Sequence, residues 1–146
     1  MTKVYSSSVI DAPVEKVWLH IRDFNGLPNW MPVVKDSHIE EGLPADQVGC
    51  IRNFNLNDGG NIREQLLSLS DLQHNFTYSI LESPMAVKNY QATVELRKVT
   101  DGDRTYIQWT AEFDTEPEEE AGLIELIGIG VFMGGLDSLK KHFVEK

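Results

Sequence analysis

Arg52 and Glu64 are charged residues set into otherwise apolar runs, and they flank the turn-forming segment Asn57-Asp58-Gly59-Gly60-Asn61. Side chains alternate along a strand, so Arg52 shares a face with Phe54 and Leu56, and Glu64 shares one with Ile62 and Leu66. A hairpin centred near Asp58 sets the two nearly opposite each other, within reach of a charged pair. Charges on such a surface are costly unless paired. Two roles are open to the pair. It can tie two strands together as a structural ion pair, or it can face a ligand, with the guanidinium anchoring or stabilising negative charge and the carboxyl moving a proton. Tyr78 and Tyr90 fall on inward faces by the same alternation and can donate hydrogen bonds into that space, unless each only satisfies a neighbouring backbone group. Trp109 lies on the inward face of its strand, and Trp30, in the irregular stretch Asn29-Trp30-Met31, is placed at a cavity mouth; packing is the competing role for both.

Other chemistries find no support. His20, His38, His74 and His142 stand at no motif spacing to a nucleophile or carboxylate, which argues against a Ser/His/Asp or Cys/His catalytic set. The single Cys50 precedes Ile51-Arg52 and reads as a small buried thiol; no metal site and no cofactor is required by any motif.

The elements that must position these residues follow from periodicity. Val4 to Ile10 reads as a strand, and Asp11-Ala12-Pro13 leads into a short helix with Val14, Val17, Trp18 and Ile21 on one side. Gly26, Pro28 and Pro32 limit any helix around Leu27 to Met31 to a turn or two. Strands are then expected over Val33 to Glu41, Val48 to Leu56, Ile62 to Leu69, Phe76 to Leu81, Val87 to Val99 and Arg104 to Phe113. The intervening turn residues suit an antiparallel meander. The period then changes. Thr115, Pro117 and the acids Glu118, Glu119 and Glu120 open a helix expected to run to about Glu145. A 100° step gathers Ile124, Ile127, Val131, Phe132, Leu136, Leu139 and Phe143 into one arc for the dry face of the sheet. Gly128 and Gly135 interrupt that arc, either to let helix and sheet approach closely or to leave a cavity. On the opposite face, Gly130 and Gly134 stand beside Leu126, Ile129 and Met133, a candidate subunit contact that makes a homodimer one option.

The chain has 146 residues, 41% of them hydrophobic and 25% charged, which suits one domain with one core. Thirteen basic against twenty-three acidic residues give a net charge of -10, the wrong sign for nucleic acid or anionic lipid surfaces. Met1 to Ile10 lacks a signal-peptide pattern, and no continuous apolar stretch of roughly 20 residues suggests a membrane span, so a cytoplasmic protein is expected.

A strand, two short helices, a long meander and one crossing C-terminal helix make the order of the α+β helix-grip fold, a curved antiparallel sheet of about seven strands wrapped around the helix. With IDAPVEKVW, DFNGLPNWMPVV, VGCIRNF, REQLLSLSD and NYQATVEL in that order, the chain resembles the START/birch-pollen-allergen superfamily and, within it, the polyketide cyclase/dehydrase and lipid-transport group. Two branches are similar by motif. Resemblance to the plant abscisic-acid receptors implies ligand contacts at Lys35, Glu64 and Tyr90, and a pocket-lining position near Gly135. The receptors' gate and latch motifs are replaced here by Asn57 to Asn61 and Met85-Ala86-Val87, which argues against hormone reception of that type. Resemblance to the lachrymatory-factor synthases implies a catalytic pair at Arg52, in GCIR, and Glu64, in REQLLSLSD, with Tyr78 and Tyr90 nearby.

Three functions follow as expectations. The first is binding of a small hydrophobic or amphipathic molecule between sheet and helix, its polar end facing Arg52, Glu64, Tyr78 and Tyr90. Phe54, Trp109, Val131, Gly135, Trp30 and Lys35 complete the candidate lining, and the Asn57 to Asn61 and Ser83 to Val87 loops gate access. The second is a cofactor-independent cyclase, lyase or isomerase using Arg52 and Glu64. The third is an interaction module with a filled core.

Overall fold

The computed structural model describes residues 1 to 144. The alternating segments form β1 (Thr2–Ile10), β2 (Val34–Ile39), β3 (Ile51–Leu56), β4 (Asn61–Ser70), β5 (Asn75–Glu82), β6 (Lys88–Val99) and β7 (Arg104–Asp114). They make one antiparallel sheet in the order β1-β7-β6-β5-β4-β3-β2. Helix α1 (Val14–Ile21) and a single 3-10 turn (Leu27–Asn29) carry the chain from one edge of the sheet to the other. This is the helix-grip arrangement expected from the sequence. Two strands are shorter than their hydrophobic runs suggest. The second stops at Ile39, where Glu40–Gly42 turns with Glu41 at φ 59, and the third begins at Ile51, after Gly49 at φ 98 has redirected the chain.

Strand alternation sorts the faces as expected. Phe76, Tyr78, Tyr90, Ala92, Val94, Leu96, Ile107, Trp109, Ala111 and Phe113 are buried, and Ile80 is half-buried. Their interior partner is the C-terminal helix, Pro117–Val144; the expected terminus at Glu145 lies outside the described residues.

That helix departs from the simple arc. It is α-helical over Pro117–Glu125, π-helical over Leu126–Met133 and α-helical again over Gly134–Val144. Its buried apolar side chains are Leu123, Ile127, Phe132, Leu136, Leu139 and Phe143, with Gly128 and Gly135 buried between them, and the step from the Ile127 side chain to that of Phe132 is one residue longer than an α-turn allows. The wider turn resets the phase. Ile124, expected inside, is 41% exposed, and Leu123 takes its place. At the wide turn the buried Ser6 Oγ donates a hydrogen bond to the Gly128 carbonyl at 2.7 Å. A Cβ on Gly128 would stand 3.1 Å from Val4 Cγ1, and one on Gly135 would overlap Met31 Sδ and lie 3.1 Å from both Trp30 and Trp109. Close approach, rather than a gap, is therefore what these two glycines provide. By length and composition alone this 28-residue helix could cross a membrane, a correction to the sequence expectation; in this fold its apolar face packs on the sheet.

Candidate functional site

The hairpin of β3 and β4 turns through Asn57 to Gly60, with Gly59 at φ 94 and the Gly60 amide donating to Asp58 Oδ1 at 2.9 Å. That turn fixes the register so that Arg52 and Glu64 are direct cross-strand partners. Both side chains point inward, 3% and 8% exposed, so neither charge is shared with bulk water. Arg52 Nε donates to Glu64 Oε1 at 2.8 Å, Nη2 lies 2.6 Å from the same oxygen, and Nη1 donates to the Phe24 carbonyl at 3.2 Å. The guanidinium carbon also sits 4.0 Å from the centre of the Phe24 ring, 4.9 Å from Tyr78 and 5.8 Å from Phe54, a packing that suits a weakly hydrated planar cation. Burial raises the Glu64 pKa above the ordinary carboxylate range, and Arg52 pulls it back only in part.

Tyr78 stands beside the pair. Its hydroxyl accepts a hydrogen bond from Trp109 Nε1 at 3.0 Å, and because indole nitrogen only donates, the phenol keeps its own proton to give. The Tyr90 ring lies 6.4 Å from Tyr78 and stacks on Phe113. Burial raises both phenol pKa values, Glu64 adding to the effect, so both stay neutral at physiological pH, with the Tyr90 hydroxyl donating to that of Tyr78.

These groups line one part of a cavity of about 880 Å³ between sheet and helix. Ile62, Phe54 and Ile80 form the sheet side, and Leu123, Ile127 and Val131 the helix side. Leu27 in the 3-10 turn and Met31 just after it line one flank. The mouth is framed by Asn57 and Asp58 of one hairpin loop, Pro84, Met85 and Ala86 of another, and Glu119 and Leu126 of the helix. The loops expected to gate access therefore both border the cavity. Gly130 and Leu126, expected on the outer face of the helix, line it as well, while Ile129 stays 65% exposed and Met133 is half-buried.

Of the residues singled out from sequence, the structure brings Arg52, Phe54, Glu64, Tyr78, Tyr90, Trp109 and Val131 together around this space. Three stand elsewhere. Lys35 is exposed, because a register shift between Val34 and Asp36 turns it outward while Val34 faces in. Trp30 is 3% exposed, not at a mouth, because the 3-10 turn presses its ring to 5.5 Å from Trp109. Gly135 is filled over by that pair and Met31. Phe24 was missed. Its carbonyl and ring both hold Arg52, and its only trace in the sequence is a large apolar residue in a polar turn. Cys50 is fully buried, and burial raises its pKa. Among the described residues no group of three or more His, Cys, Asp or Glu is placed to hold a metal ion.

Comparison with known proteins gives a consistent picture. A family model described as polyketide cyclase/dehydrase and lipid transport matches residues 1 to 144. Among solved structures, the protein XoxI from Bacillus cereus is 30% identical, with a TM-score of 0.89 over 99% of this chain and 96% of that one. An uncharacterized protein from Bacillus thuringiensis is also 30% identical, with a TM-score of 0.85 over 98% and 99%. A protein from Thermobifida fusca is 27% identical, with a TM-score of 0.90 over 99% and 95%. No curated protein matches.

Proposed function

Because the chain belongs to the polyketide cyclase/dehydrase and lipid transport family, we propose that it binds a small, largely apolar molecule in the cavity between sheet and C-terminal helix. One observation carries this reading: a cavity of about 880 Å³, walled mainly by aliphatic and aromatic side chains, has its buried polar groups gathered at Arg52, Glu64, Tyr78 and Tyr90, with Asn57, Asp58 and Glu119 at its exposed rim. Volumes of about 300 to 1,000 Å³ with a few convergent polar groups are the usual form of small-molecule sites. The apolar wall supplies affinity by removing ligand surface from water, and the polar cluster fixes orientation. The test is titration with N-phenyl-1-naphthylamine, a neutral probe that fluoresces in apolar surroundings. Saturable one-to-one binding is expected, weakened about tenfold or more in Val131→Trp, whose larger side chain occupies the cavity. Undiminished binding by a folded Val131→Trp variant would place the probe elsewhere and contradict the proposal.

A second reading rests on Glu64. A carboxyl with a raised pKa, inside a cavity and next to a guanidinium, is equipped to move a proton while Arg52 stabilises developing negative charge. The chain would then be a cofactor-independent cyclase, lyase or isomerase. Glu64→Gln separates the two: a binder keeps its affinity for a neutral probe, whereas an enzyme that relies on this proton loses turnover about a hundredfold or more.

A further inference from the structure

We infer that the buried end of the ligand is uncharged and accepts a hydrogen bond, as a ketone, ester or amide carbonyl does, and that the cavity selects against carboxylates and other anions. The inference rests on the cavity reading above and specifies its ligand class.

It follows from where the charges sit. Among the described residues lining the cavity, Arg52 is the one cation, and three carboxylates, Glu64, Asp58 and Glu119, share the space with it. Arg52 places Nε and Nη2 on Glu64 and Nη1 on the Phe24 carbonyl, and although two of its five N–H groups are left over, its charge is already balanced by Glu64, so an incoming carboxylate would be a second anion on the same cation. Two anions would then share one cation away from water, an arrangement burial penalises heavily. Lys35, the cation that sequence resemblance offered as a carboxylate partner, is exposed and outside the cavity. The mouth adds to the selection, since Asp58 and Glu119 border it on a chain of net charge -10, which repels anions on approach.

What the cavity offers instead is a neutral donor. Tyr78 accepts from Trp109 Nε1 and from the Tyr90 hydroxyl, which leaves its own phenolic proton for an acceptor oxygen, and it stands in the cavity wall beside Glu64. A carbonyl takes that proton without adding charge.

The test displaces N-phenyl-1-naphthylamine from the intact chain with 2-undecanone or with undecanoate at pH 8, two probes of equal chain length that differ in charge. The ketone is expected to bind about tenfold or more tighter. Glu64→Gln frees the Arg52 charge, so undecanoate should gain about tenfold while the ketone changes little. Tyr78→Phe should weaken the ketone about fivefold, the worth of one hydrogen bond between neutral groups. Equal affinity of the two probes for the wild type, or stronger binding of undecanoate, overturns the inference. So does a folded Glu64→Gln variant with no gain for undecanoate, or a Tyr78→Phe variant with unchanged ketone affinity. If neither probe displaces the fluorophore, the cavity reading itself fails and this inference with it.

Discussion

Replacing Arg52 by Met removes the cation that holds Glu64 Oε1 at 2.6 and 2.8 Å and leaves the carboxyl buried without it. An unpaired buried charge costs several kcal/mol, so Glu64 takes up a proton instead. Starting from the ordinary value of 4.5, that uptake costs about 1.36 kcal/mol per pH unit: about 4 kcal/mol at pH 7.5 and about 1.4 kcal/mol at pH 5.5. The sign follows from the direction of the shift. A carboxyl whose pKa is raised on folding contributes stability that is fully present below its unfolded pKa and is lost as pH rises through the folded one. Removing Arg52 raises the folded pKa further, so the deficit of Arg52→Met against wild type grows with pH wherever the wild-type carboxyl is ionised. Urea unfolding followed by tryptophan fluorescence should show a deficit larger at pH 7.5 than at pH 5.5, by up to about 3 kcal/mol, the ceiling being reached if the wild-type carboxyl is ionised across the whole window. Adding Glu64→Leu should recover most of it, because a buried pair replaced by apolar groups is often neutral or stabilising. A deficit equal at both pH values, or a double variant no more stable than the single one, would refute the reasoning.

The fold makes further predictions. Gly135→Ala should destabilise by about 1 to 3 kcal/mol despite better helix propensity, because the new methyl meets Met31, Trp30 and Trp109, whereas Gly122→Ala, with open space at its Cβ, should stabilise by up to about 1 kcal/mol; thermal melts compare the two. Ser6→Ala should cost about 1 to 3 kcal/mol in the same assay, since it leaves the Gly128 carbonyl at the π-helical turn without its donor. Hydrogen bonds from Arg63 lower the Glu40 pKa to about 2, so this carboxylate stabilises the fold above pH 4.5 and the contribution is lost as pH falls toward 2. Accordingly, the gap in urea midpoint between wild type and Glu40→Gln should be wider at pH 6 than at pH 3.

The part of the site carried by strand alternation was legible because a two-residue period leaves little freedom. Arg52, Phe54, Glu64, Tyr78, Tyr90 and Trp109 all face inward, and the Asn57 to Asn61 turn set the Arg52–Glu64 register. What escaped the sequence breaks a regular period. The bulge at Lys35 reverses the face of one residue, and the π-helical turn shifts the C-terminal helix by one residue, exchanging Ile124 for Leu123. Trp30 and Phe24 belong to an aperiodic stretch whose packing depends on what lies across the interior. For Gly135 the ambiguity was steric: a missing side chain leaves a hole or admits a neighbour, and here Met31 and two indole rings fill the space.

The cavity as a ligand site is tested most directly by native mass spectrometry of the protein as purified and after incubation with 2-undecanone, each compared with the denatured mass. A complex with one molecule retained per chain, released on denaturation and diminished in Val131→Trp, is the expected result. A bare native mass under both conditions would contradict the ligand-binding role and leave Arg52 and Glu64 as a structural pair between β3 and β4.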